Sequence, residues 1–284
     1  MPGLSVLTLV KNRSRHLDRL IEGLNRSETA PLELIVVDMS DAPVAPVETE
    51  ACPTTVLRLI TDALPLAAAR NLAARHARGD RLLFLDVDCI PAAGLTGRMA
   101  SALQAEDALI CAEVRYLPAD AVTDDWTESA LGVVARPHPA REFPRLGCRR
   151  EENAGLFWSL TFGIRRESFE AIGGFDEGFE GYGAEDTDFG FQCREAGLPL
   201  VFLGGAGSFH QHHGVFDPPL QHFDAILANA ARFRAKWGVW PMDGWLRAFA
   251  ERGLVAYDGA RLTRIRTPAA DEVEGVKQPA YVRF

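Results

Sequence analysis

The chain has 284 residues, and 47% of them are hydrophobic, which suits one large α/β domain or two small ones with a packed core. Its formal net charge of −9 at pH 7 argues against a nucleic-acid partner and against a basic surface that binds anionic membranes. No apolar run approaches the roughly 20 residues that span a bilayer, and the N-terminus lacks the basic start and cleavage site of a secretory signal, so we expect a cytoplasmic protein without a membrane span.

The first half of the sequence alternates short apolar segments with segments of helical periodicity. The apolar segments predict strands at residues 4–10, 32–37, 56–60 and 81–85. Helices are predicted between them, one from a cap at Ser14 through Leu24 and one at residues 67–77. This alternation is typical of an α/β fold with a Rossmann-like, mainly parallel central sheet flanked by helices.

The second half of the sequence is less regular. Its patterns predict strands at 108–114, 158–165 and 200–203, and helices at 167–172, 184–196 and 219–237. Residues 118–150 are predicted to form a loop or short helices, and residues 267–284 a polar tail. Because the sequence contains neither an internal repeat nor a clear linker, we expect a single domain over residues 1–266.

Polar groups follow three of the predicted strands, where ligands of such sheets bind. They are the segment from Lys11 to Arg13, then Asp38, and then Asp86 with Asp88. Two carboxylates separated by one residue repel each other, and a divalent cation relieves that repulsion best. A diphosphate leaving group can share such a metal ion. The alternative is an ordinary acidic turn after a strand.

A second acidic pair, Glu185 and Asp186, stands at the start of a predicted helix. A carboxylate in this position can accept the proton of an acceptor hydroxyl. Acidic residues also favour helix N-termini for purely structural reasons. The glycines and aromatic residues of the preceding segment 173–183 favour the functional interpretation, because a solvated helix start does not require them.

Three histidines occur within four residues, at His210, His212 and His213. A neutral imidazole is a good ligand for a transition metal. Neighbouring side chains point in different directions, so at most one or two of the three can reach one ion. The alternative is a surface loop without a ligand.

Two further side chains have both a binding and a structural interpretation. Arg70 can bind a diphosphate in a bidentate manner or pair with a surface acid. Trp158 can form a platform under a sugar ring or belong to the core.

Together these segments resemble the glycosyltransferases of family 2, which have the nucleotide-diphospho-sugar (GT-A) fold. The resemblance lies in four segments in the family's order, at residues 9–17, 69–88, 169–188 and 210–213. The third is the most specific, and it is similar to the C-terminal motif of β-1,4-galactosyltransferases and of chondroitin-type polymerases. Residues 1–115 would then bind the nucleotide sugar, and residues 116–266 would carry the acceptor and catalytic half.

The resemblance implies a role for each matching residue. Thr8, Arg13 and Asp38 would line the nucleotide pocket, which would take uridine, and Arg70 would face the nucleotide or its phosphates. Asp86 would contact the ribose or the donor sugar, over which Trp158 would also lie. Asp88 and His210 would ligate the metal, with His212 or His213 as a further ligand. Asp186 would be the catalytic base, and Glu185 would hold the acceptor or the donor sugar.

The resemblance also implies the reaction. It is the transfer of a galactose-, N-acetylgalactosamine- or glucose-type hexose from a UDP-sugar to a hydroxyl of a carbohydrate or glycoconjugate acceptor. The metal would be Mn²⁺ or Mg²⁺, and the anomeric centre would be inverted. The sequence departs from the family where Met39 follows Asp38, and where Tyr182 and Ala184 replace the tryptophan and glycine of the galactosyltransferase motif.

Three other functions are weighed against this one. A sugar nucleotidyltransferase would need a glycine-rich phosphate loop, and Lys11-Asn12-Arg13 contains no glycine. A non-catalytic module that binds a nucleotide sugar or a glycan would have no need for Asp88, Asp186 and His210 together. A zinc hydrolase would need the H-E-x-x-H spacing, which the histidine cluster lacks.

Overall fold

The computed structural model describes residues 2–61 and 64–283. The strands in this part of the chain are β1 (Leu4–Val10), β2 (Glu33–Asp38), β3 (Thr54–Arg58), β4 (Arg81–Leu85), β5 (Cys89–Pro91), β6 (Leu109–Tyr116), β7 (Arg136–Pro137), β8 (Gly147–Glu151), β9 (Thr161–Arg165), β10 (Leu200–His210), β11 (Val255–Tyr257) and β12 (Leu262–Arg264). The helices are α1 (Ser14–Asn25), α2 (Leu66–His76), α3 (Leu95–Ala105), α4 (Glu128–Val134), α5 (Arg166–Ile172), α6 (Glu185–Glu195), α7 (Phe223–Trp237), α8 (Asp243–Glu251) and α9 (Ala270–Gly275). Within the described ranges, no helix has the length and apolar character needed to cross a bilayer.

The central sheet has the strand order β3-β2-β1-β4-β9-β6-β10-β5. Strands β3, β2, β1 and β4 run parallel, as do β6 and β10, while β9 pairs antiparallel between β4 and β6. All six residues of β2 are buried, as expected for a strand covered on both faces. The predicted α/β fold with a mostly parallel central sheet is therefore confirmed.

Helices cover both faces of this sheet. On one face, alanines of α2 and the rings of Phe169 and Phe189 from α5 and α6 pack against Phe84 and Phe162 of the sheet. On the other face, α1 and α3 contribute leucines that include Leu20 and Leu103. A third apolar cluster joins α7, α8 and the residues after α9 beyond the end of the sheet.

Strand β10 is longer than predicted. The sequence indicates a strand only as far as Leu203, followed by a glycine-rich turn, but the strand continues to His210 with a register shift against β6 before Ser208. The glycines permit this close approach, because a Cβ atom on Gly207 would collide with the backbone carbonyl of Glu113. The extension places His210 inside the sheet and not in a loop.

Some elements agree with the prediction and others were not predicted. Residues 118–150, predicted as a loop or short helices, contain the short helix α4, whereas strand β8 and helix α3 at residues 95–105 were not predicted. The polar tail predicted from residue 267 contains α9, and Val276 behind it is 3% exposed. The apolar side chain of Val276 therefore packs this tail against the rest of the protein.

Candidate functional site

The predicted site residues converge at the carboxyl ends of β1, β4 and β10. Strand β5 pairs antiparallel with β10 so that Cys89 lies opposite His210, and the backbone N–H of Gln211 donates to the carbonyl of Asp88 at 2.7 Å. The ladder therefore places the end of the Asp86-Val87-Asp88 segment beside the end of β10. Arg13 joins them from the start of α1, where its guanidinium contacts the Asp88 carboxylate.

Asp88, His210 and His213 form a cluster with the geometry of a metal site. One ligand atom from each residue lies within 4.8 Å of the others. Asp88 is 2% exposed, and its Oδ1 has no hydrogen-bond partner among the described residues. Burial, with the charges of His213 and Arg13, lowers the pKa of His210 to about 3. A buried carboxylate with a free oxygen beside two neutral imidazoles fits a divalent cation.

The structure separates the three histidines of the cluster. Of the two alternatives that the sequence leaves open, His212 and His213, it is His213 that lies beside Asp88, with its Nε2 3.6 Å from Asp88 Oδ2. The Nε2 of His212 instead lies 3.2 Å from the backbone carbonyl of Val282. His16 was missed by the sequence reasoning, and its Nε2 lies 3.8 Å from Asp88 Oδ1.

Glu185 and Asp186 have different environments although they are neighbours. Glu185 is 5% exposed and its Oε1 accepts a hydrogen bond of 3.1 Å from Nη1 of Arg70, while no partner for its Oε2 is found in the described part of the chain. Asp186 is only half-buried, and its Oδ1 accepts a hydrogen bond from the backbone of Thr187. Burial and the charge of Glu185 raise the pKa of Asp186 to about 6, against the opposing effect of Arg70. Asp186 is thus the more accessible carboxylate of the two.

A left-handed backbone precedes this pair. Gly181, Gly183 and Ala184 have φ angles of +75°, +99° and +71°. Glycine adopts this region readily, whereas alanine does so at a cost of about 1 kcal/mol or more. The turn presents Tyr182, which is 37% exposed, between the two groups of carboxylates. Burial of its hydroxyl raises the pKa of Tyr182, and the charges of Asp186, Glu185 and Asp86 raise it further.

Two aromatic residues from outside the sequence motifs adjoin Tyr182. Its ring stacks on His222 with centroids 4.5 Å apart, and it lies 6.0 Å from the ring of Trp245 in α8. Nothing in the sequence around His222 or Trp245 indicates a site, because only the folding of the C-terminal helices over the sheet brings them here.

The predicted donor residues occupy several positions around the cleft. Thr8 is 1% exposed, and its hydroxyl has no hydrogen-bond partner within residues 2–61 and 64–283. Asp38 is also 1% exposed, but its oxygens accept hydrogen bonds from the backbone of Ser40 and Val44 and from Arg58. Although burial opposes it, these bonds hold the pKa of Asp38 below its usual value. Thr8 thus keeps a buried hydroxyl without a partner among the described residues, while Asp38 is bound within the protein.

Trp158 stands at the end of a row of rings that starts at the metal cluster. Tyr116 lies 4.8 Å from His210, and His138 lies 5.9 Å from Tyr116 and 4.8 Å from Trp158. The guanidinium of Arg141 lies 4.9 Å from the Trp158 ring. Arg141 is 4% exposed and makes no ion pair in the described residues, so the faces of aromatic rings solvate its charge. No motif in the sequence indicates this residue, which lies in the segment predicted as a loop or short helices.

One cavity of the protein contains none of these residues. It measures about 660 Å³ and lies between α3 and the shifted part of β10, where Arg98, Glu28 and Gly205 line it. The acidic pairs and the histidines of the candidate site lie at the carboxyl ends of the strands. This cavity is therefore not the candidate site.

Two family models match the chain. The model described as Glycosyl transferase family 2 matches residues 5–173, and the model described as N-terminal domain of galactosyltransferase matches residues 137–213. Together they cover all four segments of the resemblance.

Among curated relatives, a validoxylamine A glucosyltransferase of Streptomyces hygroscopicus subsp. limoneus is 29% identical over 247 residues, covering 71% of this chain and 50% of the relative. The uncharacterized glycosyltransferase YfnE of Bacillus subtilis is 23% identical over 271 residues, covering 80% of this chain and 68% of the relative. The chain spans about half the length of the validoxylamine A glucosyltransferases that it matches.

Solved structures agree on the fold. GalNAc-T7 with UDP, GalNAc and Mn²⁺ matches with a TM-score of 0.55 and 15% identity, over 74% of this chain and 43% of that one. S. aureus TarS matches with a TM-score of 0.53 and 14% identity, over 82% of this chain and 40% of that one. At these identities the structures show the GT-A fold alone. The family model covers more than half of the sequence, and the chain therefore belongs to glycosyl transferase family 2.

Proposed function

We propose that the chain transfers a hexose from a UDP-sugar to a hydroxyl group of a carbohydrate or glycoconjugate, with Mn²⁺ or Mg²⁺ and with inversion at the anomeric carbon. The observation that carries this proposal is the cluster of Asp88, His210 and His213 together with a half-buried Asp186, whose charge acts on Tyr182 as that of Asp86 does. Two curated relatives named as glucosyltransferases and a structural neighbour with UDP, GalNAc and Mn²⁺ support it.

The donor binds along the carboxyl ends of the strands. A divalent cation held by Asp88, His210 and His213 would offset the charge that develops on the departing diphosphate. Arg13 is close enough to the cluster to bind the same diphosphate with its guanidinium. The unpartnered hydroxyl of Thr8 is available to the nucleotide, and the Trp158 ring to the sugar.

Asp186 acts on the acceptor. Its carboxylate accepts the proton of the attacking hydroxyl, and its raised pKa makes it a stronger base than an exposed aspartate. Glu185 is held by Arg70 and keeps one unpartnered oxygen, which can accept a hydrogen bond from a sugar hydroxyl. The exposed face formed by Tyr182, His222 and Trp245 suits the apolar face of an acceptor sugar ring.

A donor screen tests this proposal. The purified chain would be combined with Mn²⁺ and a panel of UDP-sugars, and its melting temperature and slow donor hydrolysis would be measured. We expect one UDP-hexose to stabilise the protein, because a ligand at 100 times its Kd adds about 2.7 kcal/mol to the free energy of unfolding.

Chelation and Asp88→Asn are the matched controls of the screen. Both should remove the stabilisation by the UDP-sugar, because each one removes the cation that bridges protein and diphosphate. Stabilisation that persists with chelator would contradict the metal role. The absence of any response to the whole panel would contradict the proposed donor class.

A further inference from the structure

The end of the described chain runs along the loop that follows the metal cluster. Lys277 forms an isolated antiparallel bridge with Phe216. The backbone N–H of Gln278 donates to the carbonyl of Val215 at 2.8 Å. Residues 276–278 therefore pair with residues 215–217, and a turn closed by the hydrogen bond from the Val282 N–H to the Pro279 carbonyl follows them. We call residues 276–283 the C-terminal strap.

The C-terminal strap is anchored at both of its ends. At the near end, Val276 is 3% exposed and packs in the apolar cluster of α7 and α8. At the far end, Nη1 of Arg283 donates to the carbonyl of Val134 at the end of α4, with a distance of 2.7 Å. Between these anchors, the carbonyl of Val282 lies 3.2 Å from Nε2 of His212.

His212 is held from two sides. In the tautomer that carries its proton on Nε2, its ring donates to Val282. Its backbone carbonyl lies 3.4 Å from Nε2 of His16, and the His16 carbonyl accepts a hydrogen bond from Gln211 Nε2 at 3.0 Å. A residue fixed at both its ring and its carbonyl leaves little freedom to its neighbour His213.

The neighbour is the residue that faces Asp88. The Nε2 of His213 lies 3.6 Å from Asp88 Oδ2, whereas the ring of His212 is occupied by the C-terminal strap. His213 is itself only half-buried, and its Nδ1 is paired with the carbonyl of the adjacent Gly214. Its orientation therefore depends on the backbone of residues 212–217, which the strap holds.

We propose that His212 is a positioning residue for the metal site. By bonding the Val282 carbonyl of the C-terminal strap, it holds His213 where that residue shares a cation with Asp88 and His210. This inference rests on the metal site of the proposed function. Groups that orient a metal ligand in this way typically contribute a factor of about 10–100 in metal affinity.

Titration with Mn²⁺ tests the inference without any substrate. The free ion would be followed by electron paramagnetic resonance with the whole chain, with His212→Ala, with His212→Gln and with a chain that ends at Lys277. We expect His212→Ala and the shortened chain each to bind Mn²⁺ about 10–100-fold more weakly. His212→Gln should retain most of the affinity, because its amide can donate the same hydrogen bond.

The combination of His212→Ala with the shortened chain gives the sharpest comparison. The shortened chain loses the His212–Val282 contact together with the Gln278–Val215 and Arg283–Val134 bonds, so adding His212→Ala to it should weaken Mn²⁺ binding no further. Losses that multiply in the double variant would overturn the inference. If the shortened chain does not fold, Gln278→Pro replaces it, because proline lacks the N–H that donates to Val215.

His213→Ala separates a positioning role from ligation. If His212 were itself a ligand, His212→Gln would lose as much affinity as His213→Ala, and the shortened chain would bind Mn²⁺ like the whole chain. That result would overturn the inference and leave the proposed metal site intact. If the unaltered chain bound no Mn²⁺, both the inference about His212 and the proposed metal site would be overturned. In that case the binding of a UDP-sugar in the donor screen would not depend on the metal.

Discussion

At the scale of single residues, the sequence predicts which types of side chain bind a metal better than it predicts where those side chains point. The D-x-D motif and the strand before it place Asp88 at a strand end, and the structure has it there. Which of the neighbouring histidines faces Asp88 depends on how far β10 extends and on what holds the loop after it. Neither is encoded in a four-residue pattern. Arg141 and Trp245 carry no motif, since their places beside Trp158 and Tyr182 arise only from tertiary packing.

Asp186→Asn tests the most accessible carboxylate of the site. We expect the variant to transfer sugar about 10²–10⁴-fold more slowly, which is the usual contribution of a general base. Its binding of the UDP-sugar and Mn²⁺ should stay unchanged, because the cation cluster does not include Asp186. Initial transfer rates and donor titrations check the two parts, and near-normal turnover would remove Asp186 from the role of base.

The pH dependence of the same reaction follows from the raised pKa of Asp186. Its folded pKa of about 6 lies above the ordinary 3.8, so the residue is protonated and inactive as a base below that pH. The value of kcat/KM for transfer should therefore rise with pH up to about pH 6 and then level off. The same sign makes ionised Asp186 unfavourable for folding above pH 6, so Asp186→Asn should not lower the melting temperature at pH 7. A rate profile already flat at pH 5 would contradict the raised pKa.

At the scale of secondary-structure elements, alternating apolar segments predict the parallel half of the sheet well. Strands β1, β2 and β4 are apolar runs of five to seven residues that end at polar groups, and the structure has each of them within about a residue of its prediction. Helix α3 and strand β8 were missed for different reasons. The α3 sequence is broken by Gly97 and Thr96, and β8 is a polar strand that pairs with β10 at an edge.

Gly207→Ala tests why β10 tolerates so many glycines. The added Cβ would collide with the Glu113 carbonyl on β6, and backbone cannot move aside as a side chain can. We expect a loss of about 1–3 kcal/mol in the free energy of unfolding. Gly132→Ala is the matched control, because a Cβ there meets open space in helix α4 and alanine favours a helix by about 0.5–1 kcal/mol. Urea unfolding of both variants checks the difference, and equal stabilities would contradict the close-contact explanation.

At the scale of the whole molecule, the sequence underestimates how firmly the C-terminal part is joined to the sheet. Polar composition predicted a loose tail from residue 267, yet α9 and the C-terminal strap contact both the helical layer and the end of α4. The few apolar positions of that tail, such as Val276, carry the packing, and a composition average hides them. Long-range contacts of this kind have no periodic signature.

A buried carboxylate in α6 makes a polar link to α7. Asp188 is 0% exposed and accepts hydrogen bonds from Nε1 of Trp237 at 2.7 Å and from Nζ of Lys236 at 2.8 Å, both on α7. It lies two residues after Asp186 on the same helix, so the link also fixes the helix that carries Asp186. The link thereby couples the stability of the C-terminal helices α7 and α8 to the geometry of the site.

Trp237→Phe removes one donor of this link while keeping an aromatic ring in place. A buried carboxylate that loses a hydrogen bond becomes less stable by about 1–3 kcal/mol, so the free energy of unfolding should fall by that amount. Trp240→Phe is the matched control, because the buried Nε1 of Trp240 has no partner in the part of the chain described, and its removal costs no hydrogen bond. Chemical denaturation of the two variants gives the comparison. If Trp240→Phe destabilised the protein as much as Trp237→Phe, the loss would come from ring size and not from the bond between Trp237 and Asp188.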